Sequence, residues 1–231
     1  SIKSSLYGNA ATRLLALNSF DRQGIPNRKN EEYKYVNVEL ILKDNFSLQT
    51  SQTISAEQLK PKKFLKDAIV VVLENGVFSK KLSGIESLPK GLSILDIQEA
   101  AANPVFSKTY ATLADIQADP FIALNTALAQ GGVFIHVADN AVIELPVHII
   151  YVSSSSSNTI INPRLFIHIG KNAQVNIIQS FDSVATIAKT FNNTVTEMVI
   201  EEHAIVNHYQ IEDEGKQEHL LNTTQTYQKT N

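Results

Sequence analysis

The chain has 231 residues, of which 43% are hydrophobic and 19% are charged, so it can bury a sizeable core in one large domain or two unequal ones. Its 20 basic and 23 acidic side chains give a net charge of −3, which excludes a dedicated nucleic-acid binder. The sequence contains no cysteine, which excludes disulfides, thiolate nucleophiles and any metal site ligated by this chain's own sulfur. The longest apolar run, Ala68–Leu73, is far shorter than the about 18 residues of a membrane-spanning helix, so we expect none.

The first 131 residues are predicted to be mainly helical, with a small β unit. Four apolar residues near the N-terminus share one face of a helix, which we expect to be buried: Leu6, Ala10, Leu14 and Leu17. This helix should end at Gly24–Pro26, because proline cannot continue it. Further on, Ala68–Phe78 predicts a β-hairpin, since two β-branched arms flank Asn75 and Gly76, which tolerate the positive φ of a tight turn.

Two or three helices are predicted to follow, and two of them are recognised by their first residues. Asn103–Pro104 and Asp119–Pro120 each combine a side chain that caps a helix with a proline suited to the first helical position. In the second of these helices three apolar residues line one face: Phe121, Leu124 and Leu128. Gly131 and Gly132 should stop this helix.

From residue 132 to residue 231 the sequence becomes β-like and contains an internal repeat. Phe134–Ala141 aligns with Phe166–Ala173, and Glu197–Ala204 is a weaker third copy. The final alanines of these copies are 32 and then 31 residues apart. A period of this size predicts a solenoid, in which each repeat buries its faces only against its neighbours. We therefore predict a β-helix of about three to four coils, with the alanines in a column at a sharp corner.

The repeat also predicts which side chains point into the β-helix. One alternating set is apolar in all three copies and should point inward: Ile135, Val137, Ile167, Ile169, Met198 and Ile200. The other set, which includes His136, His168 and Glu197, should point outward. The two histidines occupy the same repeat position, so they should stack about 4.8 Å apart on neighbouring coils. Two imidazoles at that distance can share a metal, but no third ligand aligns with them, and ordinary packing is the favoured interpretation.

The inward set changes chemistry after the alanines. Two, four and six residues beyond each alanine stand Ile143, Leu145 and Val147; then Val175, Ile177 and Gln179; then Val206, His208 and Gln210. Buried amides cost about 1–3 kcal/mol each unless they are hydrogen-bonded. Gln179, His208 and Gln210 therefore predict a hydrogen-bonded ladder, bound water, or the start of a polar passage inside the β-helix. A bulge in the second strand would exchange these faces.

A search for catalytic motifs finds none. There is no Gly-Lys-Ser/Thr phosphate loop, so we expect no ATP binding by this chain alone. There is no Gly-x-Ser-x-Gly nucleophile elbow, and the six histidines lack metalloprotease spacing. We therefore expect a protein without a catalytic site of its own.

Five stretches carry a resemblance to a known family: Gly24–Tyr35, Glu74–Phe78, Asp119–Asn125, Glu144–His148 and Pro163–Ile167. In order and spacing they resemble the SufD branch of the SufB/SufD family, whose members belong to the Suf iron–sulfur cluster assembly machinery. The similarity extends over essentially the whole chain. Tyr33 stands where the family often has tryptophan, which is a minor departure.

The resemblance implies an α+β fold, in which an N-terminal helical region precedes a right-handed parallel β-helix that is incomplete at the C-terminus of this chain. It implies a cytoplasmic, bacterial-type, non-catalytic scaffold subunit of a SufBCD complex, paired with a SufB-like paralogue and a SufC-like ATPase. No cofactor is expected on this chain, and the Fe–S cluster would form at the interface with the partner. The family's late coils and ATPase-docking part are missing, so no known functional residue of the family transfers to a numbered position.

Two other classes of protein remain open at this point. β-helices also occur in polysaccharide lyases and hydrolases, whose sites need clustered acids and bases on one exterior face. Here the outward repeat positions mix His, Phe, Glu and Val, which does not favour that class. A β-solenoid adhesin or acyltransferase-like trimer is also disfavoured, because the period is unlike that of hexapeptide repeats. The exposed terminal coil predicts that the isolated chain can form a homodimer.

Overall fold

The structure is a computed structural model that describes residues 10–48, 53–184, 188–213 and 215–230. Its α-helices all precede residue 132: α1 (Ala10–Gln23), α2 (Val38–Ile41), α3 (Ala56–Leu59), α4 (Ile97–Ala100), α5 (Pro104–Thr109) and α6 (Pro120–Leu128). Single turns of 3₁₀ helix lie at Glu31–Tyr33 and Lys60–Lys62. The strands are β1 (Ile69–Glu74), β2 (Val77–Phe78), β3 (Leu92–Asp96), β4 (Gly132–Val137), β5 (Val147–Ser153), β6 (Thr159–Ile161), β7 (Arg164–Ile169), β8 (Gln174–Ser183), β9 (Thr190–Ile200), β10 (Ile205–Asp213) and β11 (Glu218–Gln228). The predicted α+β fold is confirmed.

The strands form two sheets that face each other across the core. Sheet 1 has the order β10-β8-β5-β1-β2, and sheet 2 has the order β11-β9-β7-β4-β3, with β6 paired to β9. All neighbouring strands are parallel except at β2 and β3, which are antiparallel to their neighbours. The chain alternates between the sheets, so consecutive coils stack as a parallel β-helix of about three turns. This confirms the solenoid that the repeat predicts.

The three repeat copies lie in register. Phe134 pairs with Phe166, and Phe166 pairs with Glu197, as the alignment of the copies predicts. The inward set of sheet 2 packs against sheet 1 in one apolar core, in which Ile135 and Ile167 are fully buried.

The predicted column of alanines is confirmed at the corner between the sheets. Ala141 accepts a backbone hydrogen bond from Gln174 at 2.9 Å, and Ala173 accepts one from Ile205 at 2.8 Å. Ala173 is fully buried, so a larger side chain would meet the neighbouring coils. The residue before each of the three alanines has a positive φ, which turns the chain sharply: Asn140 (62°), Asn172 (56°) and His203 (59°).

The first coil contains two residues more than the second at the start of its sheet 1 strand. Val142 pairs with Gln174, and Val147 pairs with Ile177. Between these two pairs the chain advances by five residues in the first coil and by three in the second. The extra residues form a bend in which Leu145 is 47% exposed. The prediction that Leu145 points inward is therefore wrong.

This insertion also changes which residue lies beside Gln179. Equal counting from the alanines aligned Val147 with Gln179, whereas the structure pairs Ile149 with Gln179. Because the insertion has an even number of residues, the alternation of faces is preserved. Val147 and Ile149 both point into the core and are fully buried.

The β-hairpin is confirmed and joins sheet 1. Leu73 pairs with Phe78 in antiparallel register, and the turn residues Asn75 and Gly76 have φ values of 49° and 81°. Strand β1 also pairs in parallel with β5. The hairpin is thus part of the same sheet as the strands of the β-helix.

The predicted caps of α5 and α6 are confirmed. The Asn103 side chain accepts a hydrogen bond from the Val105 backbone N–H at 2.9 Å, and Asp119 accepts one from Phe121 at 2.7 Å. The apolar face of α6 that includes Phe121 packs in a cluster with Val38 of α2.

Helix α1 forms, but the face predicted to be buried is wrong. Leu14 and Leu17 are 58% and 40% exposed, whereas Ala16 and Ser19 are buried. Leu6, which belongs to the predicted face, lies outside the described residues.

Helix α1 lies beside α6 and is held by polar contacts instead. The Ser19 hydroxyl donates to the backbone carbonyl of Ile116 at 2.8 Å, and Nε of Arg13 donates to that of Ala127 at 3.0 Å. Small and polar residues of α1 therefore face the body of the protein. The spacing of the leucines alone had indicated that the opposite face of the helix would be buried. Within the described residues, no helix is both long and apolar enough to cross a membrane.

Candidate functional site in the β-helix interior

The three residues predicted to make the interior polar lie together. Gln179 in β8 is fully buried, and its Oε1 accepts from Nε2 of His208 at 2.6 Å and from Nε2 of Gln210 at 3.2 Å. Gln210 pairs with Gln179 in register on the next coil, where it is exposed at the open end of sheet 1. Burial lowers the pKa of His208, so its imidazole is neutral near pH 7 and uses its Nε2 hydrogen to donate to Gln179.

The amide of Gln179 also connects the two sheets. Its Nε2 donates to the Tyr151 hydroxyl at 2.9 Å and to Oγ1 of Thr196, on sheet 2, at 3.3 Å. Gln210 makes the same kind of link, because its Nε2 donates to Oγ1 of Thr224 at 3.2 Å. These bonds cross the interior and offset the cost of burying the Gln179 amide.

The structure adds residues that sequence reasoning missed. The inward positions of β9 are polar and at least nine-tenths buried: Thr190, Asn192, Thr194 and Thr196. The signal was present as alternating Thr and Asn in the sequence from residue 190 to residue 196. The repeat alignment did not reach these residues, because its third copy begins only at Glu197.

A carboxyl group lies at the other end of this row. Glu218 begins β11, pairs in register with Thr190, and is 9% exposed. The Ser153 hydroxyl donates to its carboxylate. Burial raises the pKa of Glu218, because the charged form loses solvation there. We define the polar interior as these side chains together: Tyr151, Ser153, Gln179, Thr190, Asn192, Thr194, Thr196, His208, Gln210, Glu218 and Thr224.

Some groups of the polar interior keep unused hydrogen-bonding capacity. Oγ1 of Thr190 and Oγ1 of Thr194 are buried and have no hydrogen-bond partner in the part of the chain that the structure describes. Thr194, Asn192 and Tyr151 line a cavity of about 10 Å³, which is the space that one water molecule needs. The polar interior therefore offers donors and acceptors to a small polar guest, and none of its side chains is a thiol nucleophile.

The outward histidines lie on the opposite side of sheet 2 from the polar interior. His136 and His168 pair in register, and their Nδ1 atoms are 3.2 Å apart. His168 is 9% exposed. Among the described residues, no three His, Asp or Glu side chains come together in an arrangement that could hold a metal ion.

Around Phe134 and Phe166, the outward side of sheet 2 is covered by helices. Phe134 and Phe166 are fully buried, and the ring of Phe106 in α5 lies 5.3 and 5.7 Å from theirs, between centroids. Glu197 is also fully buried on this side and bonds Nη2 of Arg164 at 2.6 Å. The outward residues thus serve to dock the helices.

Two of the stretches quoted for the resemblance meet at this docking surface. Nη1 of Arg164 donates to Oδ1 of Asn125 in α6 at 3.2 Å. Asn125 in turn donates to the backbone carbonyls of Pro163 and Asn193 at 2.9 and 2.7 Å. Sequence reasoning did not identify this contact, because Arg164 and Asn125 are 39 residues apart.

Fold and site together define a β-helix protein with a polar interior and a helical layer docked on one outer face. Residues 3–149 match the family described as SufBD protein N-terminal region, and residues 151–231 match the SUF system FeS cluster assembly SufBD core domain. The chain therefore belongs to the SufBD family.

A curated relative supports this assignment. An iron-sulfur cluster assembly SufBD family protein from Synechocystis sp. is 24% identical over 221 residues, which cover 86% of this chain and 46% of the relative. The chain thus spans about half the length of the curated relative that it matches.

Proposed function

We propose that this chain acts as a SufD-like scaffold subunit in Suf iron–sulfur cluster assembly and catalyses no reaction of its own. The observation that carries the proposal is the match of two consecutive SufBD regions along the chain. The division between them, near residue 150, falls inside β5 of the β-helix. Since the sequence has no cysteine, sulfur ligands for a nascent cluster would come from a partner, and the cluster is this complex's product rather than a cofactor of this chain.

The partners in this proposal are a SufB-like paralogue and a SufC-like ATPase, and the site of action is the cytoplasm. The test is to co-express the full-length protein with an ABC-type ATPase and a cysteine-containing paralogue from the same organism, and to purify through a tag on this protein. We expect both partners to co-elute in a fixed ratio. Isolation of the full-length protein as a homodimer from the same cells would contradict the proposal.

We further propose that the polar interior lets a small species, persulfide-level sulfur or iron, move within the β-helix. Support comes from the buried amide of Gln179, which bonds side chains of both sheets, and from the unused hydroxyl of Thr194. A moving polar guest needs such groups, because each unmet hydrogen bond in a buried site costs about 1–3 kcal/mol.

The test replaces Gln179 and Gln210 together by leucine in the full complex. Loss of one hydrogen bond to the guest, about 1–1.5 kcal/mol, makes cluster formation roughly tenfold slower. Ile149→Leu is the matched control, because Ile149 lies beside Gln179 in register and the exchange conserves volume. Cluster formation at the wild-type rate in a folded double variant would exclude the passage while leaving the scaffold role intact. Within residues 10–48, 53–184, 188–213 and 215–230, no arrangement of side chains favours the alternative of a polysaccharide lyase or hydrolase.

A further inference from the structure

The outward histidine pair has a defined pattern of hydrogen atoms. Nε2 of His168 lies 3.4 Å from Oε1 of Glu201, and the other carboxylate oxygen of Glu201 lies 2.6 Å from Nζ of Lys229. An ionised glutamate only accepts, so His168 carries its hydrogen on Nε2 and leaves a lone pair on Nδ1. That lone pair faces Nδ1 of His136 at 3.2 Å, so His136 donates across the gap.

We propose that His136 and His168 form a binding site for one divalent transition-metal ion, held between the two Nδ1 atoms. Zinc binds imidazole nitrogen at about 2.0–2.1 Å, and tetrahedral geometry then places two such nitrogens about 3.3 Å apart. The observed separation is 3.2 Å, so the strands already hold both ligands at the required spacing. Water completes the coordination, since no third His, Asp or Glu among the described residues converges with the pair.

When the metal ion binds, one hydrogen must move from one nitrogen of His136 to the other. The two neutral imidazoles together lose no proton. His136 shifts its hydrogen from Nδ1 to Nε2, which leaves Nδ1 with a lone pair for the metal ion. His168 keeps its hydrogen on Nε2, where Glu201 accepts it. Glu201 then acts as the carboxylate that orients a metal-bound histidine through its second nitrogen.

Charged side chains of both signs act on the histidine pair. The negative charge of Asp139 acts on both rings and attracts a bound cation. The positive charge of Lys229 acts on His168 in the opposite sense, but it is paired with Glu201 at 2.6 Å. Asp139 is held in place because its Oδ1 accepts from the backbone N–H of Lys171 at 2.9 Å.

The test is titration of the 231-residue chain with zinc chloride, followed by calorimetry, and with cobalt chloride, followed by visible absorption. We expect one ion per chain, and His136→Gln or His168→Gln should each weaken binding by about tenfold or more. The matched control is His203→Asn, because His203 is exposed and asparagine tolerates its positive φ. Circular dichroism and thermal unfolding verify that each variant is folded.

A second measurement reports on the hydrogen atoms directly. Nitrogen-15 NMR of the imidazoles should show His136 with its hydrogen on Nδ1 in the free chain and on Nε2 after zinc is added. Equal zinc affinity in the wild-type chain and both glutamine variants, or an unchanged His136 tautomer at saturating zinc, would overturn the proposal. In that case the pair is a hydrogen bond between two stacked coils and nothing more.

Discussion

Arg164 and Glu197 are both fully buried, and they join the helical layer to the β-helix. Besides Arg164, Glu197 accepts hydrogen bonds from the backbone N–H groups of Ala111, Leu113 and Ala114, at 2.9 to 3.1 Å. A buried charge is costly unless it is paired and fully hydrogen-bonded, and here the carboxylate is both. These contacts fix the segment before α6 at one position on sheet 2.

Removing one member of this pair should be strongly destabilising. Arg164→Met leaves the Glu197 carboxylate buried without its countercharge, so we expect the free energy of unfolding to fall by about 3–5 kcal/mol. Urea unfolding followed by circular dichroism measures this change. Hydrogen exchange at the amides of Ala111, Leu113 and Ala114 should rise at the same time, because these N–H groups bond the carboxylate.

The matched control for Arg164→Met is Lys80→Met. Lys80 pairs with Glu99 at 2.6 Å, but both side chains are at least half exposed. An exposed pair contributes about 0–1 kcal/mol, so this variant should unfold almost like the wild type. Similar losses in the two variants would show that the buried pair does not anchor the helical layer.

At the scale of elements, the segment around α3 covers the outward side of sheet 1. Ile54 and Leu59 pack with Val72 and Ile150 of β1 and β5 in one apolar cluster. Next to this cluster, His148 of β5 is fully buried, and its ring lies 4.5 Å from that of Phe64, between centroids. The docking of this segment therefore depends on an imidazole that is kept away from water.

The buried His148 makes stability depend on pH. Its Nε2 contacts Oγ of Ser180 at 2.9 Å, and its Nδ1 has no hydrogen-bond partner among the described residues. Burial lowers the pKa of His148 to about 4. Below the unfolded pKa of about 6.5, the unfolded chain binds a proton that the folded chain cannot take up until the pH nears 4. The contribution of neutral His148 to the free energy of unfolding is therefore fully present above the unfolded pKa and is lost as the pH falls. At pH 5 the free energy of unfolding should be lower by about 2 kcal/mol for this reason.

Urea unfolding at pH 7.5 and at pH 5 tests this expectation. His148→Gln should remove that share of the pH dependence, because glutamine does not titrate, whereas His203→Asn at an exposed position should retain it. The same loss of stability in wild type and His148→Gln between the two pH values would contradict the role given to burial.

At the scale of the whole molecule, the β-helix presents two chemically different sides of sheet 2. The inward side carries the polar interior, with Gln179 and Thr196 bonded across it. The outward side carries the histidine pair and the helical layer. The outward side organises the helices, and the inward side is where we propose that small species move.

Residue patterns alone were enough for the overall architecture. The alanines at 141, 173 and 204, the Asn-Gly turn and the capping residues Asn103 and Asp119 each predicted a local structure that the fold contains. These predictions succeeded because they depend on backbone geometry over a few residues, or on a repeat that forces neighbouring coils to match. The polar positions Gln179, His208 and Gln210 were found for the same reason, since alternation along a strand has a strict period of two residues.

Tertiary structure decided what no local pattern contains. The leucine face of α1 is exposed, because α6 packs against the other face of that helix. The inserted bend at Leu145 changes which residue pairs with Gln179. The Arg164–Glu197 pair joins segments that are distant in the sequence. Polar residues such as Thr194 and Glu218 became part of one interior only when sheet 1 and sheet 2 faced each other. Sequence periodicity determines which way a side chain points from its own strand or helix, whereas packing between elements determines what that side chain meets and whether water reaches it.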